Sequence, residues 1–379
     1  MAKRIVFLVP GFFGFSSVGA VNYFQDVEDA LRRGLRRRRI DAEIVRCETQ
    51  PTASIVRRAD RLRRQVIGHG GLEAQDLHFV GHSTGGLDVR MLLTPGVQIA
   101  RGNSAERIAE RTRSAISVAT PHHGTPLANH FNTVQGQTLL LIASALATSG
   151  QGRGAIVGVA QAVALVAQLD DWMGRSDTAL DRVAAGLLRK IRYNRRGPVW
   201  KYLREIEMDQ GGVLQLTPEG MNLFDAAVAD RAGIDYGCVV AGVPKPREEF
   251  KPRDLVDPER MAMRALFRLL HALTSRPHPR YPYPKTSKQM RLKLNRGLDF
   301  TVDASTNDGV VPTLSQLHGR VLHVARADHL DVVGHYTLAA EGTGDWLPSG
   351  AGFTPEAFDS LWGDVAAAIA RGRQPARAG

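Results

Sequence analysis

Cysteine is nearly absent from this chain of 379 residues. Only Cys47 and Cys238 occur, far apart in the sequence, which excludes a disulfide framework and any cysteine-based metal-ligand spacing. Both are expected to be buried thiols. Also missing is any run of the roughly 20 apolar residues needed to span a bilayer. The opening MAKRIVFLVPGF passes from two basic residues into a short apolar stretch that breaks at Pro10 and Gly11 without a small-residue cleavage site. It therefore reads as a first strand rather than a signal peptide, and a cytoplasmic location is expected. No internal repeat is found. Neither a nucleic-acid-binding motif nor interleaved aromatic and basic residues accompany the formal net charge of +11, which sets nucleic acid aside as a partner.

The composition that remains, 43% hydrophobic, is that of a globular protein with one large core or two ordinary ones. Its positive charge gathers at Arg32–Arg39 and Arg57–Arg64. In the second cluster Ile55, Ala59, Leu62 and Val66 recur at helical spacing while Arg57, Arg61 and Arg64 fall on another face. This is an amphipathic helix with a basic outer side. A solvated face is the simpler reading, and an anionic membrane or granule surface is the alternative partner.

Short apolar strands alternate with helical patterns. Strands are predicted at Ile5–Val9, Glu43–Arg46, Leu77–Gly81 and Ala115–Ala119, with helices near Tyr23–Arg38, near Ser54–Gly68 and from Gly85 onward. Later strands are predicted at Gly237–Ala241 and Arg320–Val324, followed by a closing helix near Pro355–Ala370. This order predicts an α/β fold, a mostly parallel central sheet with helices on both faces, forming a single domain over 1–379. Two segments interrupt it. Residues 130–210 include TLLLIASALAT and AIVGVAQAVALVAQL, apolar nearly all round but too short to span a membrane, and are predicted to form a helical lid. Residues 244–296 are rich in proline and basic residues and are predicted to be a surface insertion. Residues 371–379 read as a frayed tail.

LHFVGHSTGGL, Leu77–Leu87, sets Ser83 between glycines where a strand gives way to a helix. A sharp strand-to-helix turn of this kind needs small residues at its shoulders, here Gly81, Gly85 and Gly86. It lifts the serine hydroxyl clear of the sheet and aims the first helical amides, beginning with Thr84, at charge developing beside it. Capping of the helix by Ser83 is the structural alternative. A serine nucleophile needs a base, and the base needs an orienting acid. His329 follows the strand-like GRVLHVA and is the first choice for the base, with His335 second; His323 lies inside the strand and is expected to pack. Asp308, in the turn STNDGVVP, is the first choice for the acid, with Asp303 and Asp328 as alternatives. VPGFFGF offers the amide of Phe12 as a second oxyanion donor.

These pieces together resemble the bacterial true lipases of the α/β-hydrolase superfamily. The matching stretches are PGFFGF (Pro10–Phe15), GHSTGG (Gly81–Gly86), TPHHGTP (Thr120–Pro126), NDGVVP (Asn307–Pro312) and DHLDVV (Asp328–Val333). LTPEGMNLFDAAV resembles the region beyond that family's lid. The resemblance implies Ser83 as nucleophile, Asp308 as acid, His329 as base, and the amides of Phe12 and Thr84 as the oxyanion hole. Pro10 stands where the family usually has histidine, which removes a side-chain hydrogen bond that steadies the oxyanion loop. The resemblance implies no catalytic cofactor. It also implies a structural calcium beside the histidine loop, for which Asp331 matches one ligand and Asp257 is a candidate partner; a solvent-facing or helix-capping Asp331 is the alternative. His122 and His123 are assigned to packing or loop bracing. The expected activity is that of a carboxylic ester hydrolase, a lipase or esterase, acting on lipid-like esters through an acyl-enzyme. A polyester depolymerase or acyltransferase with the same triad, or a catalytically idle lipid-binding protein, are the alternatives.

Overall fold

Six apolar segments form one parallel sheet in the computed structural model, which describes residues 3–12, 17–18, 21–131, 209, 211–246, 258–336, 345 and 347–372. The strands are β1 (Arg4–Val9), β2 (Glu43–Arg46), β3 (Asp76–His82), β4 (Thr112–Val118), β5 (Asp235–Gly242) and β6 (Arg320–Arg326). Their order across the sheet is β2-β1-β3-β4-β5-β6, every neighbouring pair parallel. Strands covered on both faces bury nearly every side chain, which is why β1 reads as a continuous apolar run after Arg4 and why even Asp76, His78 and His82 of β3 are buried. At the edge, β2 buries only its two central residues.

Alternate side chains of β1 feed two cores. Val6 and Leu8 face the helices Val27–Arg37 and Pro355–Arg371, where they join Leu31, Leu35, Trp362 and Val365. Ile5, Phe7 and Val9 face the opposite way, toward Leu62 and Val66 of helix Ile55–Gly68 and Leu92 of helix Thr84–Leu93. Connections leave the sheet to opposite sides on either flank of β1. That places a crevice beyond the carboxyl ends of the strands, where open α/β sheets bind ligands.

Outside the segment predicted as a lid, the predicted strands and helices occur, with ends displaced by a few residues; helix Val27–Arg37 starts late, after Asp26 in the left-handed region, φ 57°. Several described helices were not anticipated, among them Ser104–Arg111 and Pro218–Ala227. The stretch 244–296 is not wholly a surface insertion. Its last part begins helix Lys288–Leu298, whose Leu294 and Leu298 pack fully buried on Cys238 and Val240 of β5 and Val321 of β6, so that it covers the sheet. Leucines one turn apart amid basic residues specify that face. Phe267 of helix Pro258–Thr274 is likewise buried.

On helix Ile55–Gly68 each outward arginine has a carboxylate partner. Arg57 meets Asp209 at 2.6 Å, Arg61 meets Glu48 at 3.3 Å and Arg64 meets Asp60 at 3.2 Å. Asp60 is shared between Arg63 and Arg64. Among the described residues no helix is long and apolar enough to cross a membrane. Most of the predicted lid, including Val159, Val163 and Val166, lies outside the described residues, as do Asp257 and the tail from 373 onward.

Candidate active site

Ser83 follows the last residue of β3 with φ 54° and ψ −130°, a strained conformation for a residue with a side chain. Helix Thr84–Leu93 starts at the next residue, so its first amides, which have no acceptor within the helix, gather beside the serine. The glycines around it are sterically required. A Cβ on Gly81 would come within 2.5 Å of Gly86 N, one on Gly85 within 2.2 Å of Val9 O, and one on Gly86 within 2.2 Å of Thr120 Oγ1. Ser83 is 5% exposed and makes no side-chain capping bond, so the helix-cap alternative lacks its hydrogen bond.

The chain brings Asp308 and His329 together beyond the ends of β5 and β6. Val243 pairs with Asn307 just past β5, which carries the following Asp308 over the sheet edge. His329 Nδ1 donates to Asp308 Oδ2 at 2.8 Å, and the His329 amide donates to the Asp308 carbonyl at 2.9 Å. Asp308 is fully buried; its Oδ1 accepts the amides of Val310 and Val311 at 2.9 and 2.7 Å, and its Oδ2 also accepts Gln316 Nε2 at 3.1 Å. An imidazole whose Nδ1–H is committed to a carboxylate presents Nε2 as its proton acceptor. The ring of His329 lies 4.7 Å from that of His82, and His82 Nε2 donates to the His329 carbonyl at 2.9 Å. The residue next to Ser83 is thus bonded directly to the histidine loop.

The alternatives are placed elsewhere. Asp303 is exposed, and its Oδ1 accepts the amides and hydroxyls of Ser305 and Thr306, which hold its carboxyl below the usual range. His335 Nε2 donates to the Tyr23 carbonyl at 3.2 Å, and His323 pairs with Asp364 on the closing helix. His122 receives Arg90 on Nδ1, donates Nε2–H to Ser117 Oγ at 3.0 Å and stacks on His318 at 4.4 Å. Its burial pushes its pKa far down.

No known family profile matches the chain. Across 150 residues, 38% of this chain, it is 29% identical to a triacylglycerol lipase from Pseudomonas fragi. That match spans 44% of the relative, less than half its length. Among solved structures, lipase 1 from Pelosinus fermentans superposes with a TM-score of 0.52 at 16% identity, covering 98% of this chain and 99% of that one. The Staphylococcus hyicus lipase does so at 0.52 and 16%, covering 98% and 96%, and EstA from Clostridium botulinum at 0.52 and 15%, covering 98% and 87%. The chain has the α/β-hydrolase fold. It is lipase-like in that fold and in local sequence.

Phe12, in the loop after β1, has its amide in the same peptide plane as the Gly11 carbonyl. Arg58, 1% exposed, fixes that loop: Nη2 donates to Pro10 O at 3.0 Å and Gly11 O at 3.2 Å, Nη1 to Gln50 O at 2.6 Å. Its other hydrogen bonds go to Asp88 on the helix after Ser83, at 2.8–3.0 Å. Sequence reasoning passed over Arg58, although one signal was present. It shares the stripe of Ile55, Ala59 and Leu62, an arginine at helical spacing on an apolar face.

Asp331 is neither solvent-facing nor alone. It is 3% exposed and lies with Asp328 and Asp345, each offering an oxygen within 4.8 Å of the others. Burial and mutual repulsion push Asp328 up to about 7 and Asp331 well above the carboxylate range. Asp328 also braces the turn by accepting the amides of Leu330 and Asp331. Oxygen donors this close, unable to ionise together in isolation, suit a hard divalent cation.

Proposed function

We propose that this chain hydrolyses carboxylic esters of lipid-like substrates, with Ser83 as nucleophile, His329 as base, Asp308 as the orienting acid, and the amides of Phe12 and Thr84 as oxyanion donors. The observation that carries the reading is the Asp308–His329 bond, beyond the strand ends and linked through His82 to a strained serine. Similarity to a triacylglycerol lipase supports the substrate class. Ser83 Oγ attacks the ester carbonyl carbon as its proton passes to His329 Nε2. Charge then develops on the carbonyl oxygen, where a helix N-terminus and a rigidly held loop amide stabilise it without reorganising. His329 returns the proton to the departing alcohol, leaving an acyl-Ser83 ester. Water, deprotonated by the same imidazole, attacks that ester; the proton goes back to Ser83 and the carboxylic acid leaves. Asp308 keeps Nδ1 protonated throughout and offsets the imidazolium charge.

Asp328, Asp331 and Asp345 would hold a structural calcium ion, which would supply the positive charge that lets the buried Asp328 and Asp331 ionise and would so brace the turn beside His329.

A fluorophosphonate probe tests the reading. It should label intact protein at Ser83, identified by peptide mass, and hydrolysis of p-nitrophenyl esters should stop in step with labelling. Absence of labelling in folded, ester-binding protein would leave the chain a lipid-binding protein.

A further inference from the structure

The loop that carries Phe12 has an unusual problem. Pro10 has no amide hydrogen and no polar side chain, so it offers only its carbonyl, held by Arg58, to fix the loop to the elbow at Ser83. Gly11 is nevertheless pressed against that elbow: a Cβ there would lie 2.5 Å from Ser83 Cβ and 2.9 Å from Tyr23 Oη.

Three hydrogen bonds run across this contact. Gly11 N–H donates to Tyr23 Oη at 2.8 Å, Tyr23 Oη lies 2.7 Å from His82 Nδ1, and His82 Nε2 lies 2.9 Å from the His329 carbonyl oxygen. Their direction is determined from the ends inward. A carbonyl only accepts, so His82 carries its hydrogen on Nε2. Its complete burial keeps the imidazole neutral, with its pKa pushed far below the ordinary value, so Nδ1 can only accept. The Tyr23 hydroxyl must therefore donate to His82, which leaves its lone pairs for the Gly11 amide.

The chain has consequences for the candidate oxyanion donor. The peptide between Pro10 and Gly11 is held at both ends, its oxygen by Arg58 and its N–H by Tyr23. The next peptide is held by its oxygen, through Arg58 at 3.2 Å and Thr49 Oγ1 at 3.4 Å. In a trans peptide the N–H points opposite the C=O, so these contacts determine where the Phe12 amide points. We infer that Tyr23 is a positioning residue, which takes over the anchoring that Pro10 cannot supply and, through His82, holds the Phe12 amide in register with the His329 loop.

This inference rests on the proposed reaction. Tyr23→Phe and His82→Asn each break the chain, and hydrolysis of p-nitrophenyl butyrate should show kcat falling by roughly tenfold to a hundredfold with KM unchanged, since loss of a whole oxyanion donor costs about 10²–10³. Affinity for a trifluoromethyl ketone, whose adduct with serine places an anion in the oxyanion hole, should fall by the same factor. A role in packing alone would lower thermal stability without coupling kcat to inhibitor affinity. The double variant should be little worse than the poorer single one, because both cut one chain. Unchanged kcat and ketone affinity in a folded Tyr23→Phe protein, or fully additive losses in the double variant, would overturn the inference. If Tyr23→Phe fails to fold, His82→Asn carries the same test. Should wild-type Ser83 escape fluorophosphonate labelling, the proposed reaction fails as well; labelling with a normal Tyr23→Phe variant sinks the positioning role alone.

Discussion

Arg58 and Asp88 form a bidentate ion pair, 2.8–3.0 Å, sealed from water between the helix that leads into the site and the helix that leaves Ser83. Burial pushes the Asp88 carboxyl up to about 6 even with the guanidinium beside it, so the ionised carboxylate depends on Arg58. Arg58→Ala would strand a buried carboxyl and release both loop carbonyls. It should cost about 3–5 kcal/mol, the usual result of breaking a buried pair from one side. Urea denaturation measures it, and a loss below about 1 kcal/mol would show that the loop is held by other contacts.

Ser83→Ala and His329→Ala should each lower kcat by about 10⁴–10⁶ with the fold intact, because members of a triad act as a unit. Asp308→Asn should lose somewhat less. Asp303→Ala should retain wild-type turnover, since its carboxylate is engaged in its own turn. Loss in Asp303→Ala with activity preserved in Asp308→Asn would reassign the acid. Ester hydrolysis read beside circular dichroism separates catalysis from folding.

His271 supplies a pH prediction. Burial lowers its pKa from 6.5 to about 4, with Asp308 nearby pulling weakly the other way. The folded protein keeps the ring neutral at a pH where the unfolded chain would bind a proton, so the associated stability is complete above pH 6.5 and is lost as pH falls toward 4. Thermal midpoints of wild type and His271→Gln should converge across that interval on acidification, wild type losing more. Parallel curves would mean that His271 titrates alike in both states.

Calcium should raise the thermal midpoint of chelator-treated protein. Ligand at a hundred times its dissociation constant adds about 2.7 kcal/mol to the stability of a folded state that alone binds it. Asp331→Asn should respond less, and Asp345→Asn likewise, because each removes one of the clustered carboxylates. A wild-type midpoint indifferent to calcium and chelator would make the cluster a set of shared-proton carboxyls.

Chain-length preference tests the segment predicted as a lid. Val159, Val163 and Val166 recur at helical spacing in the sequence. Val163→Asp should impair hydrolysis of long-chain p-nitrophenyl esters far more than of the acetate, as only the former need an extended apolar contact. Equal loss on both would argue against a substrate-covering role.

The turn at Ser83 and the turns that carry Asp308 and His329 were legible in the linear chain because each is a local device. GHSTGG needs its glycines wherever it folds, and NDG and HLD sit on short turns, one ahead of the last strand and one just past it. Strand and helix order followed from apolar periodicity, and with it the parallel sheet. The burial of Lys288–Leu298 against β5 and β6 was missed because proline and basic residues around it suggested a surface path, while two leucines one turn apart were enough to make it core. Which acid faces His329, and that Asp331 finds Asp328 and Asp345 rather than solvent, depends on loops meeting across the sheet edge. The same holds for Arg58 under the first loop and Tyr23 between Gly11 and His82. Periodicity and turn chemistry act over a few residues and are written in the sequence one segment at a time. A hydrogen bond between residues far apart in the chain is selected only when packing brings its partners to within about 3 Å and removes the water that would otherwise compete for them.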